Sequence, residues 1–295
     1  MIDYNKFVKN SRKWLEDYIT SNHLQSIVCG VSGGIDSTVS LAIASPVCKR
    51  LGVQLIGRSL PAHSNNPDEI NSAQLVGEAF CTDFKEVAIE RMYARVADEL
   101  ELNEGKLTPL QLGNVKARLR MIYLRNLASI HRGVVLDNDN FSEWNTGFWT
   151  VGGDSPMDIN LGLHYLWKTE IYELADYLLE ELFNNEDVDV SMKRYQALLK
   201  SVQLTPTDGN GVATGGDCGQ FGLDNYKQVD DVLKTMYYQT GSPIKSHDEE
   251  YIRLIDSYNE QGVDKVMVLH QNTEYKRKPA PIMPTPEELE IREYV

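Results

Sequence analysis

The chain has 295 residues, and 43 acidic against 29 basic side chains give it a formal net charge of −14. That balance excludes the broad basic field of a nucleic-acid-gripping protein, although a local anion site remains compatible with it. The cysteines, Cys29, Cys48, Cys81 and Cys218, are scattered without metal-binding spacing, so buried free thiols and a cytoplasmic location are expected.

Residues 1–24 carry charges at helical periodicity, which predicts an N-terminal helix rather than a signal peptide or anchor. No apolar run reaches membrane-spanning length. Ser26 to Val31 is a short apolar run that reads as a buried strand, and Thr38 to Ala44 reads as helix. Between them lies Ser32-Gly33-Gly34-Ile35-Asp36-Ser37. A strand, a small-residue turn and a helix N-terminus make an anion site, because backbone N–H groups and the helix dipole face whatever negative group sits there. Ser32 and Ser37 add hydroxyl donors. Asp36 would repel a phosphate unless a cation lay between them, so the loop reads as a site for pyrophosphate with Mg²⁺. It is not the kinase and GTPase loop, since no Gly-x-x-x-x-Gly-Lys occurs in the chain.

Val53 to Gly57 predicts a second strand, ending at Arg58 to Pro61, and a helix is expected from about Asp68 to Cys81. Phe84 to Ile89 reads as a third strand, Thr108 to Arg132 as a long helix capped by Thr108 with Pro109 in its first turn, and Gly133 to Asp137 as a fourth strand. Alternation at this spacing predicts an α/β fold, a doubly wound, Rossmann-like parallel sheet with helices on both faces, in a single domain over 1–295. Ligands in such sheets lie at the carboxyl ends of the strands, which is where the hexapeptide, Arg58 and the segment after Leu136 fall.

In the long helix, Leu112, Val115, Leu119 and Ile122 are expected to form a buried stripe. Lys116, Arg118 and Arg120 make either a solvated basic face or a contact for an anionic ligand. Glu143 is either a surface acid or a second carboxylate for the metal. Tyr165 to Phe183 and Val188 to Val202 read as helices, and 205–221, rich in Gly, Thr and Asp, as a mobile loop. Its Gly209-x-Gly211-x-x-x-Gly215 misses the dinucleotide fingerprint in spacing and lacks a preceding strand. Helices follow near Asn225 to Tyr238 and Asp248 to Gln261, and the tail over 276–295 is expected to be extended.

The hexapeptide resembles the signature of the ATP pyrophosphatases, the adenine nucleotide alpha hydrolase-like superfamily, whose members split ATP between its α and β phosphates. Further blocks in one order sharpen the likeness: Gly113 to Met121, Ser142 to Gly147, Gly153-Asp154 with Asp158-Ile159-Asn160, Lys168 to Ala175, and Thr273-Glu274 with Lys276-Arg277. From roughly residue 8 to residue 284 the chain resembles the ammonia-dependent NAD synthetases.

That resemblance implies a ligase that amidates deamido-NAD with ammonia through an acyl-adenylate, with ATP as co-substrate and Mg²⁺ as cofactor. It also implies a homodimer with substrate sites near the interface, and neither nucleic-acid nor membrane partners. By resemblance, Asp36 and Glu143 hold Mg²⁺, and Asp36 and Lys168 carry the catalysis. Gly30, Ser32, Gly33, Gly34, Asp36 and Ser37 cradle the ATP phosphates, completed by Arg58 or Ser59, Asn138, Lys168 and Thr207. Arg118, Asp158, Tyr275 and Lys276 contact deamido-NAD. No glutaminase domain is expected within the 295 residues.

Four departures from the family pattern stand out. Asp137-Asn138 replaces Gly-Thr, Val151 replaces a lysine, Tyr275 replaces a histidine, and the segment from Asn160 to Lys168 is longer by one residue and lacks a proline. Three fall on or near the acceptor side. Two alternatives stay open: an adenylating enzyme with a different carboxylate substrate, and a degenerate nucleotide-binding homologue.

Overall fold

The computed structural model describes residues 2–63, 65–184, 188–207, 216–239 and 248–278. The Gly209-to-Gly215 motif and the tail beyond Lys278 lie outside them.

The chain enters through α1 (Tyr4–Ser21), whose N-terminus is capped by the Asp3 carboxylate accepting the Lys6 N–H at 3.0 Å. Val8, Leu15 and Ile19 form its buried stripe. Then β1 (Ser26–Gly30), α2 (Ile35–Leu51), β2 (Gln54–Ser59), α3 (Pro67–Phe80) and β3 (Asp83–Glu86) step outward along one half of a sheet. The helices α4 (Glu90–Glu104) and α5 (Pro109–Ile130) carry the chain back across it. There β4 (Gly133–Asp137) pairs on the other side of β1, and β5 (Ile159–Asn160) follows. All pairs are parallel and the order is β3-β2-β1-β4-β5.

Side-chain alternation along the strands explains why both faces are covered. Ile27, Cys29, Leu55 and Leu136 face one core with α1, α2, α7 (Lys168–Phe183) and α8 (Val188–Gln203). Val28, Ile56 and Val135 face the opposite core, where α5 supplies Leu124 and Ala128. Each such side chain contributes about 1.5–3 kcal/mol when fully buried, which holds a parallel sheet only when helices shield both sides. A satellite core joins α9 (Gly216–Phe221), α10 (Tyr226–Gln239), α11 (Glu249–Ser257) and α12 (Glu260–Asn272) around Phe221, Val229, Leu254 and Val263. No helix among the described residues is long and apolar enough to cross a membrane.

Several expectations need correction. Helix α4 was not anticipated; it is charge-rich and buries only Ala97, so its apolar signal is thin. The helix expected over Asp248 to Gln261 is two helices, because Tyr258 is extended and Asn259 starts a new one by accepting the Gly262 N–H at 2.7 Å. The helix expected from Tyr165 begins at Lys168, after a 3₁₀ turn over Leu163–Tyr165. Within the expected 205–221 loop, Gly216–Phe221 is helical, and Lys276 and Arg277 lie in a 3₁₀ turn instead of an extended tail. On α5, Val115 and Leu119 are buried, but Ile122 is 58% exposed, so the stripe turns away from that position toward Met121 and Leu124.

One packing contact leaves no spare volume. A methyl at Gly77 of α3 would lie 2.0 Å from the Phe84 ring of β3. Gly77→Ala is expected to destabilise the fold by about 1–3 kcal/mol, lowering Tm by roughly 3–10 °C in calorimetry.

Candidate active site

At the point where β2 and β4 diverge to either side of β1, the chain after β1 and the chain after β4 leave a crevice. A cleft of about 510 Å³ opens there. Its floor is the turn from Gly30 into α2. Gly33 takes φ +83°, and a Cβ there would lie 2.5 Å from the Glu69 carbonyl, so only glycine fits. Gly34 is the N-cap of α2, and its N–H donates to Ser32 Oγ at 3.2 Å. Ser32 and Ser37 hydroxyls lie 3.1 Å apart, and Asp36 sits in the helix's first turn. Gly30, Ser32, Gly34, Asp36 and Ser37 all line the cleft.

After β4, Asn140 caps α6 (Phe141–Thr146) by accepting the Ser142 and Glu143 N–H groups, each at 3.0 Å. Glu143 closes the capping box at 3.3 Å to the Asn140 N–H. The Asn140 side-chain amide also donates to Asp36 Oδ1 at 2.9 Å, which ties the loop after β4 to the loop after β1. The start of α7 is fixed next to α6. Ser142 Oγ accepts the Lys168 N–H at 2.8 Å, and buried Asp230 accepts the Thr169 N–H at 2.8 Å.

This places the Lys168 ammonium between two carboxylates. Its side chain is 3% exposed, and Nζ donates to Asp36 Oδ2 and, at 3.1 Å, to Glu143 Oε1. The ammonium also lies 5.1 Å above the Tyr226 ring, and the Tyr226 hydroxyl donates to Asp217 at 3.0 Å. Burial alone would lower the Lys168 pKa, but Asp36, Glu143 and Asp217 overcome it and hold the amine charged well above its usual range. Burial pushes Glu143 up to about 7, with Lys168 pulling down and Asp36 and Asp217 pushing up. Among the described residues no group of three metal-ligating acids, histidines or cysteines occurs. Asp36 and Glu143 are nevertheless two hard oxygen donors from separate elements that converge on one cation.

Opposite the loop, Phe148, Trp149, Thr150 and Val151 form a wall of the cleft with Tyr275 and Lys276. Trp149 stacks on Trp144 with centroids 4.9 Å apart and planes within 3°. The Lys276 ammonium sits 5.2 Å over the Trp149 ring and donates to the Gly147 carbonyl at 2.6 Å and to the Trp149 carbonyl. Burial lowers its pKa, while Asp154 and Asp139 raise it.

Of the residues expected at the site, Arg58, Arg118, Asn138, Thr207, Tyr275 and Lys276 also line the cleft. Their bonds differ in kind. The Arg58 side chain is 3% exposed and turns to Asp83, at 2.8 Å, and to the Gly57 and Asp83 carbonyls. Arg118 Nε donates to the Val151 carbonyl at 3.3 Å, Thr207 donates to Glu69, and the Asn138 amide rests on Cys29 at 3.6 Å. Asp158 lies outside the cleft lining, paired with Arg125 at 2.6 Å and accepting the Val135 N–H at 2.8 Å. Of the basic trio on α5, Arg118 and Arg120 face the cleft, whereas Lys116 is buried over the Tyr93 ring at 5.0 Å. Sequence reasoning missed Asn140, Asp217, Tyr226 and Asp230. Only Asn140 left a local signal, the Asn-x-x-Glu capping pattern with Glu143.

The ion triad yields a direct expectation. In Lys168→Met, Asp36 and Glu143 face each other without a cation, at a cost of about 3–5 kcal/mol. Glu143, already raised with the ammonium present, then rises further. Its folded pKa exceeds the unfolded one, so the deficit is small near pH 5, where it is protonated, and grows toward pH 8. Melting curves across that range check this; a deficit independent of pH would contradict it.

Comparison with known proteins places this geometry. A family model described as NAD synthase matches residues 7–280. An NH(3)-dependent NAD(+) synthetase from Finegoldia magna is 33% identical over 178 residues, 60% of this chain and 70% of that one. A protein of the same name from Methanoregula boonei is 32% identical, covering 74% of this chain and 79% of its own. The solved structure of NMN synthetase from Francisella tularensis shares the fold with TM-score 0.71 at 24% identity, over 96% of this chain and 99% of that one. A match that runs through the sheet, the loop and both walls of the cleft leaves one assignment: the chain belongs to the NAD synthase family.

Proposed function

We propose that the protein is an ATP-dependent ligase that amidates deamido-NAD with ammonia, giving NAD, AMP and pyrophosphate. The observation that carries this reading is the Lys168 ammonium held by Asp36 and Glu143 beside the Ser32–Ser37 anion loop. A buried cation and two carboxylates at a helix N-terminus match the needs of a departing pyrophosphate.

The chemistry proceeds in two steps. A nicotinate carboxylate oxygen attacks the α-phosphorus of ATP, the bond to the β-phosphate oxygen breaks, and pyrophosphate leaves with the electron pair. Ammonia then forms a C–N bond at the acyl carbon, the bond to AMP breaks, and the nitrogen loses a proton. In the first step the loop N–H groups and the hydroxyls of Ser32 and Ser37 bind phosphate oxygens, while Lys168 offers its ammonium to the growing negative charge. Asp139 and Asp154 line the same cleft, and burial, first of all, raises both above the usual carboxylate range. Asp36 and Glu143 fit Mg²⁺, which takes one or two carboxylates together with phosphate oxygens. Bound by them, it would supply further charge neutralisation at the leaving group. On the acceptor side, Arg118, Tyr275 and Lys276 supply polar contacts.

The same reading makes residues 1–295 one catalytic domain working as a homodimer. Ile122 and Ile130 of α5, 58% and 73% exposed, are apolar surface that a second copy can cover. A cytoplasmic setting agrees with the free thiols of Cys29, Cys48, Cys81 and Cys218.

The test combines purified protein with ATP, MgCl₂, NH₄Cl and deamido-NAD and separates NAD, AMP and pyrophosphate by chromatography. NAD formation is expected, falling roughly 10²-fold or more in Asp36→Asn. Nicotinate mononucleotide is the informative second acceptor, given the altered acceptor wall and the shared fold with an NMN synthetase. AMP release with that acceptor alone would move the activity to a different carboxylate substrate, and no AMP with either would sink the reading.

A further inference from the structure

The Asp137 carboxylate does not line the cleft, yet it holds two segments that do. It stands at the carboxyl end of β4 and is 2% exposed. Oδ1 accepts the Asp139 N–H at 2.8 Å and the Asn160 side-chain amide at 3.2 Å. Oδ2 accepts the Met157 N–H at 2.8 Å and the Ser155 hydroxyl at 3.5 Å. Asp139 and Met157 both line the cleft. The donors therefore come from the end of β4, from the 155–157 turn and from β5, and together they fill the carboxylate's acceptor sites.

A second arm leads to the aromatic wall. The Asn160 amide nitrogen also lies 3.0 Å from His164 Nδ1, and Asn160 Oδ1 accepts the His164 N–H at 3.2 Å. The His164 ring meets Trp144 edge-on at 4.8 Å, and Trp144 is the stacking partner of Trp149. One buried carboxylate thus sets both the turn at the base of the wall and, through Asn160 and His164, the ring that backs it.

We infer that Asp137 is a positioning residue for the acceptor substrate, fixing the 148–157 wall against the end of β4. The inference rests on the reading of the site given above. A carboxylate suits the task because it accepts on every lone pair and binds neutral N–H donors more strongly than an amide oxygen does. An asparagine at this place would turn an NH₂ toward one of the donors it must hold. The ATP loop has bonds of its own, those of Gly34, Ser37 and Thr38 at the start of α2, and it meets the loop after β4 through the Asn140 amide on Asp36, a contact that the bonds of Asp137 do not include.

The experiment is steady-state kinetics of wild type, Asp137→Asn and Asp137→Ser with ATP and deamido-NAD varied in turn. The serine variant would retain a hydroxyl for the Asp139 N–H but be too short to reach Met157. Both variants are expected to raise the KM for deamido-NAD roughly tenfold or more, with the KM for ATP within about twofold of wild type, since the loop that binds it keeps its own bonds. Thermal shift by Mg-ATP should likewise match wild type. Equal changes in both KM values, no change in either, or failure of both variants to fold would overturn the inference in favour of a purely structural role. A wild-type protein that makes no NAD would instead overturn the functional reading, and this inference with it.

Discussion

A buried ammonium cannot stand alone: desolvation pulls the Lys168 pKa down, and Asp36 and Glu143 in direct contact, with Asp217 beyond them, keep it charged. That mutual dependence joins three parts of the chain. Asp36 comes from the first turn of α2, Glu143 from the capping box of α6, and Lys168 from the first residue of α7. Each is also placed by hydrogen bonds at its helix start that are distinct from the ion contacts, so the charges meet on a held frame. Ser142 and Asp230 hold the start of α7, Asn140 holds the start of α6 and reaches Asp36, and Gly33 allows α2 to begin where it does. A preorganised cluster of this kind needs little rearrangement when an anion arrives, which is the property that electrostatic catalysis exploits.

The sheet supplies the room around this cluster. Because the chain crosses back through α4 and α5 to place β4 beside β1, the loops after those two strands turn away from each other and leave the cleft between them. One side is the phosphate-type loop with its helix dipole. The other is the 147–157 segment, backed by stacked Trp144 and Trp149 and anchored through Asp137. Each side has hydrogen-bond support of its own, and the Asn140 amide on Asp36 joins the loops between them. Of the departures expected from the sequence, Asn138 alters a contact on the ATP side, whereas Val151, Tyr275 and the lengthened segment from Asn160 to Lys168 fall on or near the acceptor side. Val151 is exposed, brings no charge to the cleft, and accepts the Arg118 Nε–H on its carbonyl.

The strands β1, β2 and β4, the helix α5 with its Thr108–Gln111 capping box, and the role of the glycine turn were legible in the sequence. Each is encoded by residues adjacent in the chain, through apolar runs, caps and the φ of Gly33. Helix α4 was not, because one buried alanine gives no amphipathic signal, and the break at Tyr258 was not, because it depends on local backbone conformation. What the tertiary structure alone decided is which charges meet. Lys168 lies 132 positions from Asp36, and Asp230 is farther still along the chain; no local pattern pairs them. Asp158 and Arg58, which the sequence places at the ligand edge, spend their charges on Arg125 and Asp83 instead. Partners for buried charges are chosen by desolvation and long-range packing, and those forces act only once the sheet has brought the strand ends together.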